Sequence, residues 1–573
     1  MSRATVDENE DAPRYIAPAP LDRRTIWLAF FLPLALLSIR LGGAPLFDVD
    51  EGAFSEATRE MFERGDFFST YLNGAPRFDK PILIYWFQAL SVLAFGVTEF
   101  AFRLPSVIAA AVWCQAVAIF AAPRIGSRSA LFAGAIAATS FGVFAIGRAA
   151  TADALLNMFL ALALFDAWRV IERASSKAPL GSSLSSSLNA TLARPALYRA
   201  YLWIALGVLT KGPVAVLIPV ATVFLYSLVG RGRGSAADFE RGFGTRDALR
   251  MFFNPVGWVI LIAVAAPWYV AALVLHGRDF IDGFVLKHNV ERFTGTLQGH
   301  SGSAFYYVLM VPLLMWPWLA WLIAAIASAL RDLRARTMNP LRRFLWIWCV
   351  FVIVFFSLSG TKLPHYALYG CTPLFVLCAA EYESVRNKWV AAIPVLLLIA
   401  FVIALPDGLA HAANAGWIKD AFYRAMAARA QAAVPDFYRP IAWSGAALAV
   451  GVIALPLFRN FEHSSGVQVA DRVAGASMIA TLLLCLIGAP YLGEVLQGPV
   501  KRAALVARTM PEAAVTWNFH MPSFAVYRER VTPIGTPDAG QLGLTRIDRL
   551  PSDIAVDRLF EEGGVVLVKR RGP

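Results

Sequence analysis

Acidic residues cluster near the start of the stretch from residue 47 to residue 105, just after the first long apolar segment. Asp48, Asp50 and Glu51 directly precede a predicted helix that runs to about Arg64. Carboxylates stabilise helix N-termini, which explains Asp48 and offers one explanation for Glu51. Capping does not need Asp50, and a carboxylate at a water-filled face can accept a hydroxyl proton as a general base. Catalysis and capping are therefore the two interpretations of Asp50.

A cation follows in the segment RFDKP, residues 77–81. Pro81 favours the first position of a helix, and a helix start is suited to binding an anion such as a phosphate. Lys80 is therefore a predicted phosphate-binding residue. The alternative is an anchor at the membrane interface, because Tyr85 and Trp86 follow one turn later and such aromatic residues are common there.

Four more charged residues, Arg148, Asp153, Lys211 and Lys362, each lie where a predicted outer loop meets an apolar segment. A single charge at such a place often only extends towards water. Four of them, together with the Asp50 region, favour one shared site, because ionisable groups near lipid are kept mainly for function.

Histidine and aspartate residues raise the question of a metal ion. His288 and Arg292 are four residues apart, so on a helix they would share a face. Asp79 and His288 are the candidate ligands of a divalent metal ion, with a solvated histidine as the alternative. Two ligands are fewer than a typical protein site uses. No cofactor is therefore predicted as a requirement.

The elements that position these residues are membrane helices. The chain has 573 residues, of which 58% are hydrophobic and 16% are charged, whereas a soluble protein is about one-quarter charged. Apolar runs of about 20 residues, long enough to cross the hydrocarbon core, recur along the chain. The apolar runs are residues 25–42, 81–97, 100–122, 129–147, 151–171, 198–211, 213–230, 254–276, 304–330, 341–359, 364–382, 388–405, 439–458 and 472–492.

The positions of Lys and Arg select the topology. If residues 81–97 crossed the membrane, basic connectors would fall on both sides. If these residues form a juxtamembrane helix, every basic connector lies in the cytoplasm, as the positive-inside rule expects. The sequence therefore predicts an all-α polytopic membrane protein with about thirteen transmembrane helices and one polar outer face.

Three regions are predicted. They are a cytoplasmic tail at residues 1–24, a transmembrane domain at 25–492 with juxtamembrane helices in 43–100, and a small outer α/β domain at 493–573. Residues 513–534 and 565–570 have the composition of strands, with Gly and Pro turns between them. So short a segment buries little core by itself, and we expect it to dock on the membrane part.

Composition and motifs disfavour several other function classes. The net charge of +12 fits cytoplasmic loops and anionic membrane lipids better than nucleic acid. The five cysteines lie in apolar runs without a CxxC pair, which argues against disulfides and thiolate metal sites. No Walker, Rossmann or Gly-x-Ser-x-Gly motif is present. A transporter or flippase of a lipid-linked sugar is the alternative, although it should place ionisable groups near the bilayer midplane and show repeated halves.

The order of the motifs resembles that of the bacterial aminoarabinose transferases and the protein O-mannosyltransferase-like glycosyltransferases, which share the GT-C membrane fold. The resemblance covers roughly residues 25–380. It is carried by a series of short motifs: Asp50-Glu51-Gly52, Arg59-Glu60-Met61, Gly65-Asp66-Phe67, Phe78-Asp79-Lys80-Pro81, Phe102-Arg103-Leu104-Pro105, Arg148 with Asp153, Thr210-Lys211-Gly212, Pro267-Trp268-Tyr269, Arg292-Phe293, Tyr306-Tyr307 and Lys362-Leu363-Pro364-His365-Tyr366.

This resemblance implies an inverting glycosyltransferase. The donor would be a sugar on a polyprenyl phosphate such as undecaprenyl phosphate, and the acceptor a lipid A or lipopolysaccharide, another glycan or a protein. The location would be the bacterial inner membrane, with the active site facing the periplasm. Asp50 would lie at the reacting centre. The predicted site residues are Asp50, Glu51 and Asp153 for catalysis, Lys80, Arg148, Lys211, Arg292, Lys362 and Tyr366 for the donor phosphate, and Asp79 and His288 for a metal.

Overall fold

The structure is a computed structural model that describes residues 20–175, 183–229, 243–291, 302–303, 305–454, 466–551 and 553–572. Within these ranges the chain is mostly helical, and two small sheets complete it. The predicted fold class, a helical membrane part with a small α/β C-terminal domain, is confirmed. Arg292 and most of the predicted N-terminal tail lie outside the described residues.

The first part of the chain carries the residues around Asp50 and Asp153. A short hairpin, β1 (Tyr71–Leu72) with β2 (Ala75–Pro76), follows the second helix. The helices of this part are α1 (Arg23–Ser38), α2 (Asp50–Arg64), α3 (Leu83–Phe95), α4 (Glu99–Ile125), α5 (Ser127–Thr139), α6 (Phe141–Gly147), α7 (Asp153–Ser175), α8 (Ser183–Lys211) and α9 (Val214–Val229).

The second part of the chain adds further helices and two irregular turns that matter for the site. A π-helical segment (Ile281–Glu291) and a 3₁₀ segment (Pro364–Gly370) interrupt the α-helices. The helices are α10 (Thr245–Phe252), α11 (Pro255–Phe280), α12 (Tyr306–Leu314), α13 (Leu319–Ala335), α14 (Pro340–Leu358), α15 (Thr372–Ala380), α16 (Lys388–Asn414), α17 (Ala421–Ala428), α18 (Tyr438–Ala454), α19 (Gly466–Leu483) and α20 (Ala489–Arg508).

Among the described residues, six helices are long and apolar enough to cross a membrane, or seven if the bent pair α5 and α6 counts as one span. These numbers rest on length and composition alone, so the count of thirteen spans stays a prediction. α3 has 13 residues, whereas crossing the hydrocarbon core takes about 20. Its length therefore supports the prediction that residues 81–97 do not cross.

Several predicted boundaries differ from the structure. The apolar run 304–330 is two helices, α12 and α13, because Pro317 interrupts the backbone hydrogen bonding between them. The run 472–492 continues through a π-helical turn into α20, which ends only at Arg508. Polar residues in its second half hid this extension from a search for apolar runs.

The C-terminal domain is a four-stranded sheet with strand order β3-β4-β6-β5. β3 is parallel to β4, whereas β6 is antiparallel to both of its neighbours. One face packs on α17 and α20 through a buried apolar cluster that includes Phe422, Val500 and Leu544. The domain is thus docked on the membrane part. Its elements are β3 (Ala514–Thr516), α21 (Ser523–Arg528), β4 (Leu542–Arg546), β5 (Val556–Glu562) and β6 (Val565–Arg570).

Candidate active site

Two helix ends bring together an acid and a base that are 58 residues apart in sequence. Asp153 is the first residue of α7, and Lys211 is the last residue of α8. Because these helices pack side by side and run in opposite directions, the two ends meet, and Lys211 Nζ lies 2.5 Å from Asp153 Oδ1. Each charge also suits its helix end, negative at an N-terminus and positive at a C-terminus.

A tyrosine and a histidine complete this group. Tyr369 donates its hydroxyl proton to Asp153 Oδ1 at 2.9 Å and accepts a hydrogen bond from Lys211 Nζ at 2.7 Å. His365 Nε2 lies 3.6 Å from Asp153 Oδ1. We call Asp153, Lys211 and Tyr369 the polar triad. Sequence reasoning assigned no role to Tyr369. The available signal was its spacing from Tyr366, because residues three apart in a 3₁₀ segment lie on the same side.

The turn after Lys211 depends on a glycine. Gly212 has a positive φ of 79°, a conformation that glycine adopts without strain. A Cβ atom at Gly212 would lie 2.9 Å from the ring of Phe284. The glycine therefore lets α8 end directly after Lys211, which contacts Asp153 and Tyr369.

A cavity of 230 Å³ opens on one side of the triad. We call it the lysine cavity, because both Lys80 and Lys211 line it. Its polar wall also contains Asp79, His288 and Tyr366, and the rest of its wall is apolar, including Phe355 and Leu217. The ammonium of Lys211 lies 5.5 Å from the ring centres of Tyr366 and Tyr369. A cavity with cations and an apolar wall suits an anionic head group on an apolar chain.

The acid beside Lys80 is held in its charged form. Asp79 forms ion pairs with His288 and, at 3.3 Å, with Arg77. Burial alone would raise the pKa of Asp79, but the hydrogen bond with His288 and the charges of Arg77 and Lys80 hold it well below its usual range. Lys80 Nζ donates to the backbone carbonyl of Asp79 at 3.0 Å. Its ammonium thus sits at the cavity wall beside an ionised carboxylate.

Asp79 and His288, the predicted metal ligands, are in direct contact. Within the described part of the chain, no group of three or more His, Cys, Asp or Glu side chains is close enough together to hold a metal ion. The pair therefore offers two ligands, and the metal assignment stays a prediction.

Lys362 approaches the lysine cavity from behind Ser359, which is a lining residue. Its ammonium donates to the carbonyls of Ser357 and Ser359, each at 2.8 Å. The side chain is buried, and it caps the C-terminal end of α14, where carbonyl oxygens lack helical partners. Lys362 thus lies one residue layer from the cavity that Lys80 and Lys211 line directly.

A second cavity, of 660 Å³, also reaches the triad: Asp153 lines it, whereas Lys211 and Tyr369 line the lysine cavity. We call it the large cavity. Asp50 and Asp153 both line it, together with His365, and the wall that continues between the helices is apolar. The Asp50 side chain is exposed, and it accepts no hydrogen bond from any residue that the structure describes. Asp50 is thus a carboxylate available to a ligand in this cavity.

Arg77 connects the helix that carries Asp50 to Asp79 of the lysine cavity. Burial would lower the pKa of Arg77, but the nearby Tyr85, Asp79 and Asp50 favour the charged guanidinium and raise it. Arg77 donates to the carbonyl of Ala53 in α2 at 2.6 Å. This bond fixes the start of α2, which carries Asp50, relative to Asp79.

Glu51 differs from Asp50 in its burial and in its hydrogen bonding. It is buried, and both of its oxygens accept hydrogen bonds from Arg103, at 2.8 and 2.7 Å. It also accepts from the backbone amides of Phe47 and Ala150, at 2.8 and 2.7 Å. A carboxylate with four donors is poorly placed to take a proton from a substrate, so this geometry favours a positioning role.

Arg148 was predicted to bind the donor phosphate, and the structure gives it other partners. It donates to the carbonyls of Leu37 at 2.5 Å, Ile39 at 2.8 Å and Arg40 at 3.3 Å. These carbonyls lie at the end of α1 and just beyond it, where unsatisfied acceptors accumulate. Arg148 lines the large cavity, not the lysine cavity.

The C-terminal domain touches the segment that carries Asp50. Asp48 accepts hydrogen bonds from the backbone amide of Ser523, at 3.0 Å, and from its hydroxyl. Gly52 allows this contact, because a Cβ atom there would lie 2.0 Å from Asp48 Oδ1 and 2.6 Å from the Ser523 nitrogen. The hydroxyl of Tyr527 accepts from the amide of Leu46 at 2.7 Å. We call the contacts of Asp48 and Leu46 with α21 the domain latch.

The structure therefore brings most of the predicted site residues to two adjoining cavities. Lys362 stands just behind the wall, Glu51 and Arg148 hold the backbone around the large cavity, and Arg292 lies outside the described residues. The five cysteines are buried and unpaired.

Proteins of known sequence that resemble this chain are named as transferases of sugars from lipid phosphates. The profile of the dolichyl-phosphate-mannose-protein mannosyltransferase family matches residues 79–236. The undecaprenyl phosphate-alpha-4-amino-4-deoxy-L-arabinose arabinosyl transferase of Serratia proteamaculans is 30% identical over 362 residues, which are 63% of this chain and 59% of that protein. The protein of the same name from Aeromonas salmonicida is 28% identical over 394 residues, 67% of this chain and 66% of that protein.

One solved structure matches nearly the whole chain. It is ArnT from Cupriavidus metallidurans bound to undecaprenyl phosphate, with a TM-score of 0.71 at 19% sequence identity, covering 96% of this chain and 100% of that one. The two proteins therefore share a fold. The resemblance to GT-C glycosyltransferases of the aminoarabinose transferase type is confirmed, as is the multi-pass membrane character of the chain. The Serratia alignment spans about three-fifths of that relative's length.

Proposed function

We propose that the protein is an inverting glycosyltransferase that moves a sugar from undecaprenyl phosphate, or a similar polyprenyl phosphate, to an acceptor. The acceptor class is a lipid A or lipopolysaccharide, another glycan or a protein, and the similarity to arabinosyl transferases favours lipid A. The reaction takes place at the periplasmic face of the bacterial inner membrane. The observation that carries the proposal is the polar triad, whose members line both a cationic, largely apolar cavity and a larger cavity that the Asp50 carboxylate also lines.

The lysine cavity supports the donor assignment. Lys80 and Lys211 face a space whose remaining wall is largely apolar, so a phosphate can bind the ammonium groups while its polyprenyl chain stays in lipid. Fixed cations in a low-dielectric site stabilise the negative charge that grows on a departing phosphate. Tyr366 adds a ring and a hydroxyl to the same wall. Asp153 holds Lys211 and Tyr369 in place.

The large cavity supports the acceptor assignment. Inversion needs the attacking hydroxyl on the face of the sugar opposite the phosphate. Lys211 and Tyr369 of the triad line the lysine cavity and Asp153 lines the large cavity, so a sugar held at the triad is open to a phosphate in one cavity and to an acceptor in the other. Asp50 takes the acceptor's hydroxyl proton as a new bond forms between that oxygen and the anomeric carbon. The bond from the anomeric carbon to the phosphate oxygen breaks, and its electron pair leaves on the lipid phosphate.

The test uses the purified full-length protein in detergent with synthetic undecaprenyl phosphate-aminoarabinose and lipid A. The expected result is glycosylated lipid A, seen by mass spectrometry, together with an equal amount of free undecaprenyl phosphate. The same sugar on a nucleotide should give no product. Transfer from the nucleotide sugar without a lipid carrier would contradict the proposal. Movement of the intact donor across proteoliposomes without bond cleavage would instead support a flippase.

A further inference from the structure

A third cavity lies at the opposite end of the membrane helices from the candidate active site. Its volume is 300 Å³, and it lies between the start of α1 and the ends of α4 and α7. Asp153 begins α7 and Arg173 lies in its last turn, so about 20 residues and roughly 30 Å of helix separate the two sites. This distance is about the thickness of the hydrocarbon core. The third cavity therefore faces the other leaflet.

Three arginines and one acid form its polar wall: Arg124, Arg169, Arg173 and Glu172. Arg124 pairs with Glu172 at 2.5 Å and Arg169 with Asp166 at 2.8 Å, and the three lining guanidinium groups outnumber these two carboxylates. Its other side is apolar and includes Leu21, Ile26 and Ile119. The volume is at the lower end of the range of about 300–1,000 Å³ for small-ligand sites.

Arg124 has one donor that points to a missing acceptor. Its side chain is 9% exposed. One terminal nitrogen donates to the carbonyl of Phe120 at 2.7 Å, and the other donates to Glu172 at 2.5 Å. The third nitrogen, Nε, is buried and has no hydrogen-bond partner among the described residues. Buried donors of charged groups are rarely left unpaired, because the lost hydration costs free energy.

We propose that this cavity binds the phosphate group of an anionic membrane lipid. A phosphodiester oxygen would accept from the guanidinium of Arg124, and Arg169, the next arginine along the wall, would add charge. The acyl chains would follow the apolar side of the cavity into the bilayer. Basic pockets between membrane helices bind anionic head groups by the same combination of charge and apolar contact. This inference does not depend on the transfer reaction proposed above.

The test measures lipid binding by native mass spectrometry of the full-length protein after removal of co-purified lipid. Phosphatidylglycerol is the probe, phosphatidylcholine the zwitterionic comparison, and inorganic phosphate the chain-free anion. Phosphatidylglycerol should bind more tightly than either. Arg124→Gln should weaken phosphatidylglycerol binding roughly tenfold or more, the effect of losing one charged hydrogen-bonding group. Glu172→Gln should strengthen binding, because it removes the negative charge from the wall.

Arg128→Gln is the matched control, because Arg128 lies one turn further along at the same end of the molecule but is exposed and outside the cavity. It should change binding by less than about twofold, as expected for an exposed charge. Equal losses in the Arg124 and Arg128 variants would overturn the site in favour of diffuse attraction. Equal affinity for inorganic phosphate and phosphatidylglycerol would overturn the lipid assignment. If Arg124→Gln does not fold, the direction of the Glu172→Gln effect still decides, and weaker binding there contradicts the proposal.

Discussion

The cations of the lysine cavity and those of the large cavity differ in the groups that accept their hydrogen bonds. Lys80 donates to the backbone carbonyl of Asp79, and Lys211 donates to a carboxylate and a hydroxyl. Arg103 and Arg148 instead spread their planar donors over several carbonyls and, for Arg103, over Glu51. The lysines are compact charges at a cavity wall, whereas the arginines connect segments of backbone.

This difference follows from the chemistry of the two side chains. An ammonium is a point charge on a flexible stem, so it can reorient towards a phosphate. A guanidinium whose nitrogens already donate hydrogen bonds to the protein must give up some of them to bind a ligand. We therefore expect the lysine cavity to carry ligand binding and the arginines to carry the architecture of the large cavity. The predictions below test this division.

The largest expected effect concerns Asp50, the exposed acid of the large cavity. Asp50→Asn should leave the protein folded and lower the transfer rate by about 10²–10⁴-fold, because an amide cannot accept the proton. The measurement is kcat with the lipid-linked donor. Glu63→Gln is the control, because Glu63 lies on the same helix, is 45% exposed and pairs with Arg59. Near-normal turnover of the Asp50 variant would return this residue to a capping role.

Removing the guanidinium of Arg103 should damage the fold more than binding. The pair of Arg103 and Glu51 is buried, with side chains 3% and 5% exposed, and breaking such a pair by removing one partner costs about 3–5 kcal/mol. Arg103→Gln should therefore lower the thermal unfolding temperature markedly in detergent. Arg103→Lys should not restore it, because an ammonium cannot donate to both carboxylate oxygens and three carbonyls. A stable Arg103→Gln protein would break the proposed division.

The lysines should show the opposite pattern. Changing Lys80, Lys211 or Lys362 to Ala should weaken the binding of undecaprenyl phosphate, by about tenfold or more for the two that line the cavity. Lys362 stands behind Ser359, so its effect should be smaller. Lys388→Ala is the control, because this lysine begins α16 outside both cavities. Binding can be followed by the quenching of tryptophan fluorescence. An Arg148→Gln variant that weakens donor binding as much as Lys211→Ala would place Arg148 with the phosphate ligands.

Sequence reasoning found residues whose type is unusual for their surroundings. Asp153, Lys211 and Lys362 stand out because charge is rare beside apolar runs, and Asp50 because capping did not account for it. The same reasoning kept Glu51 as a catalytic candidate beside Asp50, since the buried partner of Glu51 is Arg103, which is 52 residues away. The role of Tyr369 was hidden for a related reason. Tyrosine is common at membrane interfaces, and only the meeting of α7, α8 and the 3₁₀ segment gives it two charged partners.

The boundaries of the elements were also predictable where the sequence carries a local signal. Apolar length located most membrane helices within a few residues, because burial in lipid leaves a signal in composition. The sheet of the C-terminal domain was harder. In β5 the alternation of partly buried and exposed residues is broken at an irregularity between Arg558 and Phe560, and α21 lies inside the segment that was predicted as strand. The contact of α21 with α2 joins residues almost 500 positions apart, and no local pattern predicts it.

The smallest expected effect concerns the domain latch, which connects the C-terminal domain to the segment before Asp50. Burial raises the pKa of Asp48 from 3.8 to about 7, against the hydrogen bonds from Ser523 that lower it, and the charge of Glu51 raises it further. When α21 leaves, the carboxyl becomes exposed and its pKa falls towards 3.8. The docked state then binds the proton more tightly. Docking should therefore be strongest below the exposed pKa, weaken as pH rises through about 7, and change little above that.

Hydrogen–deuterium exchange of α21 measures this docking directly. After correction for intrinsic rates, its amides should be better protected at about pH 5.5 than at about pH 8, and Asp48→Asn should remove most of this difference. Ser523→Ala should speed exchange at both pH values, and Ser523→Thr, which keeps the hydroxyl, should restore slower exchange. If the latch positions Asp50, Ser523→Ala should also lower kcat while the affinity for undecaprenyl phosphate stays the same, because the lysine cavity is untouched. An unchanged pH difference in Asp48→Asn would assign it to another group, such as the buried Glu56, whose pKa burial also raises to about 7.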